Sequence, residues 1–273
     1  MQNWTADDVM VNGVKMHFHR TGGDKQPLVL CHGITDSGLC WTRVARELEK
    51  QYDVIMVDAR GHGLSDAPDG DYDAGAHAAD VLGLIQALGL EKPRLMGHSM
   101  GAATVATLAA NYPDAPSRVV LEDPPWRSVD SSPEERAARM AEWREMTIER
   151  QNSKTEAEIV AEGRAVNPKW DESEFEPWSH AKKQVSPKVF GFGVAPSPAL
   201  HWRVLVSKIT CPTLLVTGDP ELGGIVTPET AQEVAQANGR IQTAHIANAG
   251  HNIRRDQFQP FVDLALAFLA GTE

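Results

Sequence analysis

The segment Gly97-His98-Ser99-Met100-Gly101 contains the pattern Gly-x-Ser-x-Gly and lies between an apolar run and an alanine-rich segment. A strand before this pattern and a helix after it would place the serine in a sharp turn, with its hydroxyl exposed at the edge of a sheet. The N-terminus of that helix would direct free N–H groups and a partial positive charge towards an anion beside the serine. The sequence therefore predicts Ser99 as a nucleophile.

A serine hydroxyl is hardly ionised at neutral pH, so this nucleophile needs a base. His251 follows the last apolar run, on a loop of small residues, and precedes a final helix that we predict from Phe258 to Ala270. This position would bring the imidazole of His251 to the same sheet edge as Ser99. The alternative is a structural histidine that caps the final helix.

The base in turn needs a carboxylate that orients its ring and stabilises the imidazolium, and three acids compete for this role. Asp123 ends the predicted strand from Val119 to Glu122 and precedes two prolines, whereas Asp219 follows Gly218 at the end of the next strand. Glu221 is a third candidate in the same loop as Asp219. The spacing leaves this choice open, and the unused acids would be solvated loop residues or helix caps.

A tetrahedral oxyanion requires two N–H donors. The backbone N–H of Met100, the residue after the nucleophile, is the first candidate. The second is the N–H of Ile34, on the loop that begins with His32 and Gly33 after an apolar run. Gly33 permits the backbone to turn inward, and we interpret His32 as a hydrogen-bonding residue of this loop.

The hydrophobic pattern predicts the elements that must position these residues. Asn12-Gly13 separates the extended segments 8–11 and 14–20 and is typical of an antiparallel hairpin. Continuous apolar runs indicate strands that are buried on both faces, and amphipathic helical segments separate them. The runs are Leu28–Cys31, Val54–Val57, Arg94–Met96, Val119–Leu121, Thr213–Val216 and Ile241–Ile246. This order predicts an α/β fold, a mostly parallel sheet with helices on both faces.

Residues 124–207 break this rhythm, because they contain charged helical segments and no convincing strand. We interpret them as a helical cap inserted into a core domain of residues 1–123 and 208–273; a separate small domain is the alternative. Tryptophans are concentrated in the cap. Trp126 and Trp143 there, with Trp41 near the oxyanion loop, predict a largely apolar substrate pocket, although simple packing would also explain them.

Composition excludes several functions. The net charge of −11 argues against a nucleic-acid partner. The three cysteines are few, odd in number and free of C-x-x-C spacing, which indicates neither a disulfide framework nor a zinc site but a reducing compartment. The N-terminus has no signal-peptide pattern, and no stretch approaches about 18 uninterrupted apolar residues. We therefore expect a soluble cytoplasmic protein with no membrane partner.

Two metal-binding patterns are incomplete. Asp69, Asp71, Asp73 and Asp80 fit a calcium loop, but Ala74 stands where the tight turn requires glycine. His17 and His19 share one strand face, but no third ligand is evident nearby. The sequence therefore predicts no bound metal.

Ser99, His251, the His32-Gly33 loop and the segment Asp58-Ala59-Arg60-Gly61-His62-Gly63-Leu64-Ser65-Asp66 together resemble the α/β-hydrolase family. The resemblance covers nearly the whole chain outside the cap, and the order nucleophile, acid, histidine matches. It implies a structural role for the Asp-x-x-Gly-His-Gly-x-Ser stretch, and a lid inserted where Pro124 begins. Catalysis would need no cofactor.

The sequence departs from the family at the acid. Most relatives place an Asp where this chain has Glu221, whereas a minority, including zearalenone-type lactonases, place the acid where Asp123 lies. Haloalkane dehalogenases and epoxide hydrolases resemble the fold but use Asp at the position of Ser99, so both activities are disfavoured.

These observations predict a serine hydrolase, monomeric or homodimeric, that acts on a small hydrophobic ester or a lactone, such as an acyl-homoserine lactone. C–C bond hydrolases, amidases and cofactor-free haloperoxidase-like enzymes use similar triads and remain alternatives. A slow-turnover receptor for a small molecule is an alternative from a different class.

Overall fold

The computed structural model describes residues 4–127, 132–191 and 201–271. The strands in these ranges are β1 Thr5–Val11, β2 Val14–Arg20, β3 Gln26–Cys31, β4 Tyr52–Val57, β5 Arg94–His98, β6 Arg118–Glu122, β7 Thr213–Thr217 and β8 Ile241–His245. The α-helices are α1 Thr42–Leu48, α2 Ala74–Ala87, α3 Met100–Asn111, α4 Pro133–Ser153, α5 Glu156–Val166, α6 Phe175–Gln184, α7 Trp202–Lys208, α8 Pro228–Ala237, α9 Ile253–Asp256 and α10 Phe258–Leu269.

The strands form one sheet in the order β1-β2-β4-β3-β5-β6-β7-β8. β1 pairs with β2, and β2 with β4, in antiparallel fashion, whereas all pairs from β4 to β8 are parallel. The hairpin turns at Asn12 and Gly13, which both have positive φ, as a two-residue turn between twisted strands requires. The predicted hairpin and the mostly parallel sheet are confirmed.

Two apolar layers cover the faces of the sheet. Along β3, Val29 points to the layer that contains α2 and α3, and its neighbours Leu28 and Leu30 point to the layer that contains α1 and α10. This alternation follows from the two-residue repeat of a strand. Helices therefore lie on both faces, and because the central strands are parallel, the loops after them meet at one edge.

The edge strand β8 departs from the sequence prediction. We expected the run Ile241–Ile246 to be buried on both faces, but Gln242, Thr243 and His245 are exposed. β8 pairs only with β7, and its polar side chains face solvent at the side of the sheet. A continuous run that includes polar residues thus indicates an edge position rather than burial.

The segment predicted as a cap contains α4, α5, α6 and all but the last residue of α7 among its described residues, and no strand there. α4 and α5 each begin with a capping box, formed by Ser132 with Glu135 and by Thr155 with Glu158. Residues 128–131 and 192–200 of the predicted cap lie outside the described residues. Within the described part of the chain, no helix combines the length and the apolar character needed to span a membrane.

Candidate active site

Ser99 occupies the tight turn between β5 and α3. Its backbone adopts φ 52° and ψ −114°, a conformation that L-residues rarely adopt. A Cβ on Gly97 would overlap the carbonyl oxygen of Gly101, and a Cβ on Gly101 would overlap that of Cys31. Both glycines of the motif are therefore required by the close approach of α3 to β5 and β3, and the turn projects Ser99 beyond the sheet.

His251 is bound to a buried carboxylate. Its Nδ1 lies 2.6 Å from Oδ2 of Asp123, whose side chain is fully buried. Asp123 also accepts hydrogen bonds from the backbone N–H of Ile225, at 2.9 Å, and of Val226, at 3.0 Å. Because an ionised carboxylate only accepts hydrogen bonds, the contact assigns a proton to Nδ1 and leaves Nε2 able to accept one.

The other acids considered from the sequence are placed elsewhere. Asp219 accepts hydrogen bonds from His245 Nε2, at 2.9 Å, and from the N–H of Asn248, at 2.7 Å. Its carboxylate is thus used at the exposed edge beside β8, and the alternative that Asp219 orients His251 is wrong for this geometry. Glu221 is exposed on a short 3₁₀ turn.

The two residues predicted as oxyanion donors lie on the segments next to the serine. Met100 is the first residue of α3, so its N–H has no acceptor within the helix. Ile34 and Met100 line the same cavity as Ser99. A Cβ on Gly33 would lie 2.7 Å from Nδ1 of His98 and 3.4 Å from Cβ of Ser99, so a glycine is needed for this loop to approach the turn.

His32 supports that loop from inside. Its Nδ1 donates to the carbonyl of Gly33 at 2.8 Å, and its Nε2 accepts the N–H of Ala59 at 3.1 Å. Burial lowers the pKa of His32, in agreement with a neutral ring that uses one nitrogen as donor and the other as acceptor. The hydrogen-bonding role expected for His32 is present.

His98 binds the backbone of His251. The sequence did not indicate this role for His98. Its Nε2 donates to the carbonyl of His251 at 2.9 Å, and the two rings lie 4.7 Å apart. Burial, with the nearby Arg254 and His251, lowers the pKa of His98 well below its usual value. The neutral His98 ring therefore positions His251 without adding a charge beside it.

A cavity of about 740 Å³ opens over these residues. Ser99, His251, Trp126 and Trp143 all line it. Trp41 does not line it: the ring is fully buried, with the Arg254 guanidinium 4.2 Å above it, so the prediction that it contacts substrate is wrong.

Most of the cavity surface is apolar, as the sequence predicted, but the cavity also carries a group of charged side chains that the sequence did not reveal. Cationic side chains line it beside the tryptophans, namely Arg127, Arg136, Arg139, Arg150, Lys182 and Arg255. Only two acids, Asp36 and Asp73, are among the described lining residues. The sequence does not reveal this excess of cations in the cavity lining, because they come from distant segments of a chain whose net charge is −11.

A buried ionic cluster underlies one wall of the cavity and was also missed from the sequence. Asp36 contacts Lys182 Nζ at 2.9 Å and Arg255 Nη2 at 3.1 Å, and Glu122 contacts Arg254 Nη1 at 3.0 Å. Burial alone would raise the pKa of Asp36, but Arg255, Lys182 and Arg254 outweigh it and hold that pKa well below its usual range. The cluster joins the oxyanion loop, the residue before Asp123 and the residues after His251.

Lys182 extends this cluster to the helical segment. It lies on α6, and its Nζ also donates to the carbonyl and hydroxyl oxygens of Thr35, at 2.9 and 2.8 Å. Thr35 follows Ile34 and has positive φ. α6 thus contacts the oxyanion loop directly.

This sheet order is that of an α/β hydrolase, and the family model described as the alpha/beta hydrolase fold matches residues 26–254. The chain belongs to this family and is a hydrolase. Among curated proteins it is similar to N-formylmaleamate deformylase of Pseudomonas putida, with 31% identity over 259 residues, which cover 93% of this chain and 92% of the relative.

Solved structures of other proteins superpose on nearly the whole chain. The N-formylmaleamic acid deformylase from another strain of Pseudomonas putida superposes with a TM-score of 0.77 and 26% identity, over 96% of this chain and all of that one. A thermophilic esterase from Thermogutta terrifontis, solved with malate bound, superposes with a TM-score of 0.73 and 25% identity, over 97% of this chain and 98% of that one. Both similarities extend over the segment that contains α4 to α6.

Proposed function

We propose that this protein hydrolyses a carboxylic ester or lactone through Ser99, His251 and Asp123. His251 Nε2 takes the proton of the Ser99 hydroxyl as its oxygen attacks the carbonyl carbon. The resulting oxyanion is stabilised by the N–H groups of Met100 and Ile34. The 2.6 Å contact between Asp123 and His251 carries this proposal, because it presents Nε2 as the acceptor and stabilises the imidazolium that forms.

The intermediate then collapses in two stages. Its C–O bond breaks, the leaving oxygen takes the proton from His251, and an acyl group remains on Ser99; a lactone would stay attached through its opened ring. A water molecule gives a proton to His251 and adds to the acyl carbon, and the return of that proton to Ser99 releases the acid. Trp126 and Trp143 are the proposed aromatic contacts of the acyl group.

An N-acyl amide is the second candidate substrate. The observation that favours it is the similarity over nearly the whole chain to N-formylmaleamate deformylase, whose name specifies removal of an N-formyl group. The same residues can perform this reaction, because His251 would then protonate the leaving nitrogen. An ester and an amide differ here in the leaving atom and not in the nucleophile.

Covalent labelling and turnover test the proposal together. We would measure labelling by a fluorophosphonate and steady-state hydrolysis of 4-nitrophenyl acetate to octanoate, a γ-lactone and an N-formyl amide. Wild type should label and turn over at least one of these compounds, and Ser99→Ala should do neither. Ser207→Ala is a matched control, because Ser207 is exposed on α7. Labelling and turnover that persist in Ser99→Ala would overturn the proposal.

A further inference from the structure

The cations that line the cavity differ in how well they are neutralised. Lys182 and Arg255 contact Asp36, and Arg255 also contacts Glu174 at 3.1 Å. Arg150 lies 3.8 Å from Glu162. These three cations are therefore compensated by acids of the protein itself.

Arg127 and Arg139 are different. Neither guanidinium has an ion pair or a hydrogen bond to any of the residues described in ranges 4–127, 132–191 and 201–271. Arg127 is exposed and Arg139 half-buried, so a small molecule that enters the cavity can reach both. Arg139 lies on α4 and Arg127 follows Trp126, so two separate segments of the chain contribute these cations to the lining.

The two guanidiniums are close enough to repel one another. Although Arg127 is exposed as a residue, nearby protein partly desolvates its guanidinium, and this desolvation and the charge of Arg139 both lower the pKa of Arg127. The opposing attraction comes from Asp123, whose carboxylate is already bound to His251. An anion placed between two such groups would remove the repulsion and supply the missing acceptors. The carbonyl of Arg127 accepts a hydrogen bond from the Trp202 indole N–H at 3.1 Å, which restrains the backbone that carries the guanidinium.

We propose that Arg127 and Arg139 bind a carboxylate of the substrate, at a distance from the bond that is cleaved. The substrate class is then a half-ester, or the corresponding half-amide, of a small dicarboxylic acid rather than a neutral hydrophobic ester. Guanidinium pairs suit this ligand because their N–H groups match the two oxygens of a carboxylate. This inference rests on the proposed function, which supplies the reacting carbonyl.

Two esters with the same leaving group test it. 4-Nitrophenyl hydrogen glutarate carries a terminal carboxylate, and 4-nitrophenyl pentanoate replaces that carboxylate with a methyl group. We expect wild type to prefer the glutarate ester in kcat/KM, and this preference to fall by about tenfold or more in Arg127→Gln and Arg139→Gln. Arg139→Lys keeps the charge but loses the two parallel N–H groups of the guanidinium. Its preference for the glutarate ester should lie between those of wild type and Arg139→Gln.

Arg144→Gln is the matched control, because Arg144 lies on the same helix but is exposed and is not part of the cavity lining. It should keep the preference of wild type. Equal kcat/KM for the two esters in wild type, or a preference that survives both glutamine substitutions, would overturn the inference and leave the proposed function standing.

Binding without turnover separates the two proposals. Glutarate should raise the Tm of Ser99→Ala, and this rise should be absent in Ser99→Ala combined with Arg139→Gln. If glutarate binds in this way but no ester or amide is cleaved, the carboxylate site stands and the proposed function fails. A rise with inorganic phosphate but none with glutarate would overturn the assignment of a carboxylate ligand.

Discussion

Oδ2 of Asp123 lies 2.6 Å from Nδ1 of His251, although 128 positions separate the two residues in the chain. The pair forms because both follow parallel strands, β6 and β8, whose carboxyl ends meet at one edge. Two backbone N–H groups, from Ile225 and Val226, fix the carboxylate from the other side. The acid is therefore supplied by the strand that follows the nucleophile helix.

The first prediction concerns this acid. Asp123→Asn should lower kcat by roughly 10⁴-fold, because the amide can donate to His251 and stabilise the wrong tautomer. Asp219→Asn should leave kcat nearly unchanged, since Asp219 binds His245 and Asn248 instead. Steady-state kinetics on one substrate compare the two variants, and a large loss in Asp219→Asn alone would contradict the assignment.

The second prediction concerns Gly33. Gly33→Ala places a Cβ 2.7 Å from Nδ1 of His98, so the oxyanion loop must move away from Ser99. We expect kcat to fall about 100-fold with a smaller change in KM, because the N–H of Ile34 is displaced from the developing oxyanion. Gly239→Ala is the control, since nothing lies within 4 Å of a Cβ there. An active Gly33→Ala with unchanged kcat would show that the loop geometry is not needed.

The third prediction concerns the buried ionic cluster. Lys182→Met should lower the free energy of unfolding by about 3 kcal/mol, because it removes one partner of a buried pair and leaves Asp36 with fewer cations. Lys183→Met, on the same helix, should cost less than about 1.5 kcal/mol, since the Lys183 ammonium donates a hydrogen bond to the backbone carbonyl of Gln151 rather than to a buried acid. Urea unfolding measures both, and equal losses would argue against a special role for Lys182.

The fourth prediction concerns pH. Burial lowers the pKa of His77 to about 3, and burial also lowers the pKa values of His62 and His32. Below the unfolded value of about 6.5 the unfolded chain takes up protons that the folded protein does not, so stability falls as pH falls. With its pKa at about 3 in the folded protein, His77 alone should cost about 1 kcal/mol between pH 7.5 and 5.5, and His62 and His32 act in the same direction.

Urea unfolding at several pH values checks this slope. His77→Gln should make the slope shallower, because it removes one buried group that takes up a proton only on unfolding. A free energy of unfolding that stays constant or rises between pH 7.5 and 5.5 would contradict the prediction.

Local patterns were sufficient to predict the parts of the fold that local chemistry determines. The Asn12-Gly13 hairpin, the central strands and the turn at Ser99 follow from turn residues and from runs of buried residues, and the structure has all of them. β8 was misjudged because an apolar run does not reveal how many neighbours a strand has. The edge position of β8 exposes Gln242 and Thr243.

The site was predictable only as far as single loops allow. Ser99 and His251 could be named because each follows a recognisable strand, and Asp123 could be named only as one of three candidate acids. The cluster of Asp36 with Lys182 and Arg255 could not, because its members lie up to 219 positions apart and charged residues are usually exposed. Arg127 and Arg139, which have no ion-pair partner among the described residues, could not be singled out for the same reason, within a strongly acidic chain.

The backbone angles of Ser99 have a consequence for folding. A conformation at φ 52° and ψ −114° costs of order 1–3 kcal/mol for an L-residue, and glycine would avoid that cost. The free energy of unfolding of Ser99→Gly should therefore exceed that of Ser99→Ala by about 1 kcal/mol, although neither variant has the hydroxyl, and Ser99→Gly should unfold at a higher urea concentration. Thermodynamic stability alone would favour glycine at this position. The serine therefore lowers the free energy of unfolding and supplies the hydroxyl that the proposed reaction needs.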